Sequence, residues 1–308
     1  DFFEPRSLKL SAKVTTMAQT RGHDGVNVVY EAPGSSGTVF VKHTRCSYTI
    51  CTIPIGPLKA NHNLFDPPLP PEKRSALASM TMANYLKIFL VFDPKDDIVW
   101  AEGENNTKSY GWLGVADGLA HPFALFFNYY KFTNQPVLVG FAYGNAAREL
   151  GLHSSDKVIL NSAVTTLSKC FHGTPPEELS TRVKHFHVTR WGNDPYCLGA
   201  YPFSSSADHE TAESLTQPHG RIYFAGDGIV TNGSEGSVAS AFSSGIYAAK
   251  RVLIQLRYDN FIGRLKTLGV RTVCFDMDRC AVNQHSFGRL ERGKKELQFV
   301  KNATKDFV

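Results

Sequence analysis

Lys87 stands inside YLKIFLVF, a run that is otherwise apolar or aromatic. A cation in such a strand is either an outward-facing residue or a charge held beside a reacting group, where loss of water shifts an amine's pKa readily. A second stretch, RIYFAGDGIVTNGSEGSVASAFSSGIYAAKRVL at residues 221–253, reads as strand, loop and long helix. The strand ends at Gly226 and Asp227, and a loop rich in Gly, Ser and Asn leads to Gly236, Ser237 and Val238 at the helix start. The first N–H groups of a helix lack partners, so a glycine-fed helix start suits a phosphate or another electron-rich group. Gly226 and Gly236 allow the backbone to approach such a group closely. A carboxylate at the end of a strand, as at Asp227, suits a ribose or ribityl hydroxyl, or else caps the following turn. Just upstream, TRWGNDPYCLGAYPF gathers Trp191, Tyr196 and Tyr201, which could pack an interface between domains.

These residues need elements to position them. VNVVYEA and GTVFVKH alternate apolar and polar residues around PGSSG, which predicts a β-hairpin. SYTICTIPIG reads as a buried strand running into a proline turn, and DPPLPPEKRSALASM as a proline stop followed by a short helix from about Glu72. YLKIFLVFDP, WLGVADG, FALFFNYYK and PVLVGFAYG predict strands of a largely antiparallel sheet. SDKVILNSAVTTLSKCF predicts an amphipathic helix with Ser155 and Asp156 at its N-cap, and RVKHFHVTRWG a further strand. The class expected is α/β to α+β, interleaved rather than split into clean halves.

Four stretches together resemble the flavin-dependent amine oxidases, the group of polyamine oxidases, monoamine oxidases and lysine-specific histone demethylases. CTIPIGPLKANHNLFDPPLPPEKRSALASMTMANYLKIFLVFD is similar to a V-P-L-G-V-L-K turn, F-x-P-P-L-P, a helix and a lysine-bearing strand. TRWGNDPYCLGAYPF is similar to W-x-x-D-P-x-x-x-G-S-Y, RIYFAGD to R-L-F-F-A-G-E, and GSVASAFSSGIYAAKRV to the closing helix of that family. Order and spacing hold over roughly residues 8 to 255. The resemblance implies FAD as cofactor, and oxidation of a C–H bond alpha to an amine nitrogen, with O₂ reduced to H₂O₂. It implies that Lys87 bonds through a water to the flavin and assists its reoxidation, and that Trp191 flanks the ring. Tyr196 and Tyr201 would wall the amine pocket, and flat aromatic walls suit both the neutral amine and its cation. Asp227 stands where the family has Glu, and Gly226, Gly236, Ser237 and Val238 would meet the flavin. Val14, in LKLSAKVTTM, matches the position whose backbone meets the adenine. DGIVTNGSEG departs from the family's H-T-x-R-x-Y-P-A loop, so one wall beside the flavin is expected to be absent or supplied differently.

That family binds the pyrophosphate with an N-terminal G-x-G-x-x-G, which this sequence lacks. The expected architecture is therefore a partial FAD-binding, two-domain amine oxidase fold without the N-terminal Rossmann βαβ unit. Residues 1–56 are expected in the FAD-binding domain, 57–185 in a substrate domain with a mixed or antiparallel sheet, and 186–257 in the return to the FAD-binding domain. Residues 258–308 read as a separate tail. There VCFDMDRCAVNQ resembles the first motif of haloacid-dehalogenase-like phosphatases, in which Asp276 and Asp278 would surround Mg²⁺. The chain opens at Asp1 without an initiator Met or an apolar signal segment, which reads as an interior start with an N-terminal portion missing.

Other features narrow the field. The net charge of +5 is scattered apart from a basic C-terminal stretch, so no nucleic-acid footprint is expected. No apolar run reaches the ~20 residues of a membrane helix. The six cysteines form neither a C-x-x-C pair nor a zinc pattern, and are expected to be reduced. His185 and His187 alternate on one strand face without a third metal ligand nearby in sequence. An amino-acid substrate would need an arginine for its carboxylate, and Arg182 and Arg190 are candidates by charge alone. Beside an oxidase of a small amine using O₂, two other readings stand. One is a flavin-free binding remnant; the other is an Mg²⁺-dependent phosphohydrolase resting on Asp276 and Asp278.

Overall fold

A computed structural model describes residues 8–22, 24–34, 37–94, 111–115, 121–170, 174–204, 209–229 and 234–268. Asp276 and Asp278 lie outside them. Two compact units divide the chain, Asp1–Ala248 and Ala249–Val308.

The first unit opens with the expected hairpin, which a preceding strand extends into a meander. β1 (Lys13–Gln19), β2 (Val26–Pro33) and β3 (Val39–Cys46) pair antiparallel in sequence order, with Met17 opposite Val28 and Val28 opposite Thr44. The buried strand expected after them is short. β4 (Thr49–Cys51) gives way, past Pro54, to helix α1 (Ile55–Ala60). β5 (Phe65–Asp66) then returns beside β1 in parallel, so this sheet is mixed, in the order β3-β2-β1-β5. Helix α2 (Pro71–Ser79) starts on proline at its first turn, where a missing N–H costs nothing. It buries Lys73, Ala76 and Leu77.

β6 (Met80–Met82) leads into β7 (Tyr85–Phe92), where Leu86, Ile88, Leu90 and Phe92 are buried and the residues between them half-exposed. β8 (Trp112–Gly114) and β9 (Leu125–Asn128) follow. The strand expected to run on to Lys131 stops at Asn128, whose buried side-chain oxygen accepts the Tyr130 N–H at 3.1 Å. That bond mimics a turn and starts the single-turn helix α3 (Tyr130–Thr133). β10 (Val137–Tyr143), α4 (Gly144–His153), α5 (Asp156–Ser168), α6 (Pro176–Arg182) and β11 (Val183–Val188) complete this half. Ser155 caps α5 as expected, accepting the Val158 N–H. The sheet is antiparallel throughout, in the order β11-β7-β10-β9-β8. One face of it shares a core with α4, α5 and α6, built on Leu90, Phe126, Leu138, Ile159 and Leu167.

β12 (Pro202–Ser204) pairs with β6, and helix α7 (His209–Thr216) precedes β13 (Ile222–Phe224), which lies parallel to β4. A second core joins β1, α1, α2, β13 and Leu215 of α7. Within it Lys73 is buried, its Nζ donating to the Ser214 and Leu215 carbonyls at 2.6 and 2.7 Å and lying 4.2 Å from the Phe224 ring centre. A buried lysine persists because those carbonyls and the ring replace water. Helix α8 (Val238–Thr267) starts in the first unit and continues into the second. No helix of the described residues is long and apolar enough to cross a membrane.

Candidate functional site

Strand alternation sends Leu86, Ile88 and Leu90 into the core and leaves Lys87 on the opposite face with Tyr85 and Phe89. The Lys87 backbone is pinned from both directions, its N–H donating to Thr189 Oγ1 and its carbonyl accepting the Thr189 N–H, each at 2.9 Å. Its Nζ lies 5.5 Å from the Tyr85 ring centre and 5.9 Å from that of Phe141, the residue opposite on β10. Among the described residues it has no hydrogen-bond or ion-pair partner.

Tyr85 carries the neighbourhood onward. Its ring centre is 5.0 Å from Tyr143 and 6.2 Å from Tyr201. Burial, then the phenols of Tyr143 and Tyr201, pushes the Tyr85 hydroxyl well above the usual range, so it remains a neutral donor. Tyr201 is fixed by its carbonyl, which accepts the Ala83 N–H at 2.8 Å. Its ring covers Gly236, where a side chain would bring Cβ within 2.8 Å of it. Gly236 also has a φ of +73°, so both the ring and the backbone require glycine there.

Beyond Gly236, Ser237 Oγ donates to the Ser234 carbonyl at 2.6 Å and accepts the Ser240 N–H at 3.1 Å, capping α8. The N–H groups of Val238 and Ala239 have no partner among the described residues, so the helix start offers two open donors. Asp227 is joined to this turn through its carbonyl, which accepts the Gly236 N–H at 3.2 Å and the Ser240 hydroxyl at 3.3 Å. Burial raises its carboxyl pKa, opposed by its own N–H and that of Gly228. Ser244, buried on the second turn of α8, accepts the Gly226 N–H at 2.9 Å and donates to the Gly226 carbonyl at 3.0 Å. The end of β13 is thereby clamped to the helix.

Backbone crossings hold the scaffold. A Cβ at Gly56 would sit 2.3 Å from the Cys197 carbonyl oxygen, and one at Gly228 would sit 2.6 Å from the Pro202 ring and 2.7 Å from Ile55. The start of α1, residues 197–202 and residues 226–228 therefore meet at van der Waals limits.

The remaining candidates fall in two clefts. Trp191 lies in the turn after β11 and lines a cleft of about 180 Å³ with Asn84, Tyr85, Thr189 and Arg190. Val14 and Tyr196 line another, of about 500 Å³, with Pro54, Pro57 and Leu198. Arg190 is committed elsewhere: it donates to the Gly151 carbonyl at 2.6 Å and the Ser154 carbonyl at 2.8 Å and pairs with Asp156, closing α4 onto α5. Arg182 pairs with Glu178 one turn earlier on α6. His187 packs beside Phe89, and no cluster of three metal-ligating residues occurs among the described residues. Cys46, Cys51, Cys170 and Cys197 are free thiols.

Lys87, Tyr201, Gly236 and Ser237 thus join through Tyr85, with Gly226 and Asp227 held to the same helix start. Tyr85, Phe141, Thr189 and Ser244 were not among the sequence candidates. Tyr85 was within reach, because it shares a strand face with Lys87 at a spacing of two. Phe141 and Thr189 depend on strand register, and Ser244 on how the helix docks.

The profile described as flavin containing amine oxidoreductase matches residues 3–253. Among curated relatives, polyamine oxidase 4 of Oryza sativa subsp. japonica is 33% identical over 253 residues, covering 80% of this chain and 46% of that protein. Probable polyamine oxidase 4 of Arabidopsis thaliana is 31% identical over 244 residues, covering 79% and 44%. Two solved structures, putrescine oxidase bound to putrescine and cyclohexylamine oxidase from Brevibacterium oxydans IH-35A, each superpose with a TM-score of 0.60. They are 18% and 19% identical, cover 79% of this chain and 48% of their own, and establish the shared fold. The chain thus spans about half the length of the proteins it matches. The α+β architecture is that of a partial flavin amine oxidase fold, and the chain belongs to the flavin-containing amine oxidoreductases.

Proposed function

We propose that this chain supplies the substrate-facing sheet and the late flavin-facing strand and helix of an FAD-dependent amine oxidase. The reaction is oxidation of a C–H bond alpha to an amine nitrogen, giving an imine that water hydrolyses, with O₂ reduced to H₂O₂. The observation that carries this reading is the continuous path from Lys87 through Tyr85 and Tyr201 to Gly236 and the open end of α8.

The residues fit a flavin. Two open N–H donors at the start of a 30-residue helix suit a ring carbonyl. Asp227 at the strand end suits a hydroxyl of the cofactor chain, and the Val14 cleft suits its adenosine end. The flavin, when bound, supplies the acceptor for the hydride, and the protein positions the reactants. Lys87 would hold a water by its ammonium and place positive charge where O₂ is reduced. Tyr201 would flank the amine and Trp191 the flavin ring, and the amine enters deprotonated and needs no protein base. With Arg182 and Arg190 both engaged in structural pairs, neither is offered to a substrate carboxylate, which favours an amine over an amino acid. Asp276 and Asp278 lie beyond the matched residues, 3–253.

The test is direct. The purified chain is mixed with FAD, desalted and its visible spectrum recorded. Retained flavin bands, followed by amine-dependent H₂O₂ release that Lys87→Met loses, support the proposal. A colourless chain would fit either a portion that needs the rest of the fold to hold FAD or the flavin-free remnant, and the amine-oxidase reading is then tested with the missing portion restored.

A further inference from the structure

The solvent-facing side of the five-stranded sheet carries a continuous series of aromatic rings. Phe132 stacks on Phe127, 5.4 Å apart and 9° from parallel. Trp112 stands edge-on to Phe127 at 4.7 Å and lies 5.7 Å from Phe141. Phe141 lies 5.6 Å from Tyr85, and Tyr85 continues to Tyr201 and so to Gly236. Strand register creates this order, placing Trp112 opposite Phe127, and Phe141 opposite both Leu125 and Lys87. The rings farthest from Gly236 along the series remain open, Trp112 being 52% and Phe132 63% exposed.

None of the five strands, residues 85–92, 112–114, 125–128, 137–143 and 183–188, contains an Asp or Glu. The cation among the rings is Lys87, between Tyr85 and Phe141. A polyamine brings several ammonium groups, each of which needs a carboxylate or water when it leaves solvent. Here it would meet aromatic faces beside a fixed positive charge, and like charges in a dry setting repel. An amine with one nitrogen and an apolar body meets complementary surface along the whole series.

We propose that Trp112, Phe127 and Phe132 form the specificity-determining wall of the amine site, and that it selects a monoamine with an aryl or cycloalkyl body over a polyamine. This rests on the amine oxidase reading and extends it to a substrate class. The reacting nitrogen lies toward Tyr201, and the body lies along Trp112, Phe127 and Phe132. Binding energy from this remote wall orients the carbon that is oxidised.

Calorimetric titration of the 308-residue chain with phenethylamine and with spermidine tests the wall without needing flavin. Phenethylamine is expected to bind about tenfold more tightly than spermidine, and Trp112→Ala or Phe132→Ala to weaken it by about tenfold. Trp112→Phe keeps a ring at the same place and is expected to retain most of the affinity. Phe40→Ala, on the exposed strand β3, is expected to retain all of it. Spermidine binding as well as phenethylamine, unchanged binding in both alanine variants, or no amine binding at all would each overturn the proposal. Loss of far-ultraviolet dichroism in a variant is read through Trp112→Phe instead. Phenethylamine binding without FAD retention supports the wall alone, independently of the oxidase reading. Flavin retention without amine binding sinks the wall alone.

Discussion

Asp227, proposed to meet the cofactor, also bears on stability. Its folded pKa is raised by burial, so the fold prefers the protonated acid. The associated stability is present below the usual carboxylate range and is lost as pH rises through the raised value. At neutral pH the charged form costs the fold something. Asp227→Asn is therefore expected to raise the melting temperature at pH 7, with the gain fading as the solution is made acidic enough to protonate the wild-type acid. The same variant is expected to retain less FAD. A lower melting temperature at neutral pH would contradict this account. Lys73 is the opposite case, a buried cation held by two carbonyls and a ring. Lys73→Met strands the Ser214 and Leu215 carbonyls, and denaturant unfolding should show a loss of about 1–3 kcal/mol. Residue identity in the sequence already pointed to Lys87, Tyr201, Asp227 and the glycine-fed helix. It could not show that Arg190 is consumed by the ends of α4 and α5, because charge gives no direction to a side chain.

At the scale of elements, β7 does two jobs by alternation. Leu90 is fully buried, whereas Phe89, next to it, faces the other side. Leu90→Ala should cost about 2–5 kcal/mol through the cavity it leaves, and Phe89→Ala markedly less, both read from urea midpoints. Helix α8 depends on its cap, and Ser237→Ala should cost about 1 kcal/mol and loosen the turn bearing Gly236. Hydrogen exchange at the Ser240 amide would report that loosening, since this N–H donates to the Ser237 hydroxyl. Alternation, proline stops and the Ser155 cap made β2, β3, β7, β10, α2 and α5 legible beforehand. β9 was read too long because FFNYYK has strand propensity throughout, and the Asn128 side chain that ends it competes by a local hydrogen bond. α4, α6 and α7 carry short polar patterns and were not foreseen. Their place comes from packing.

Across the whole molecule, the first unit contains two cores, and α1 and α2 belong with β1 and β13 rather than with the five-stranded sheet. The crossings at Gly56 and Gly228 hold the site's segments in register. Gly56→Ala would press Cβ onto the Cys197 carbonyl, a backbone atom with little room to yield. A loss of about 1–3 kcal/mol is expected, with weaker FAD retention as the 197–202 segment shifts; an unchanged melting temperature would refute that picture. No reading of a linear sequence finds these contacts, because Gly56 meets Cys197 and Gly228 meets Ile55 across more than a hundred positions. The two-faced sheet also bears on descent. One face seals a core that decides whether the chain folds, while the other displays rings whose exchange removes little support. On the proposed reading of this wall, successive replacements at Trp112 or Phe132 would move a lineage from one amine to another through ancestors that all remain folded.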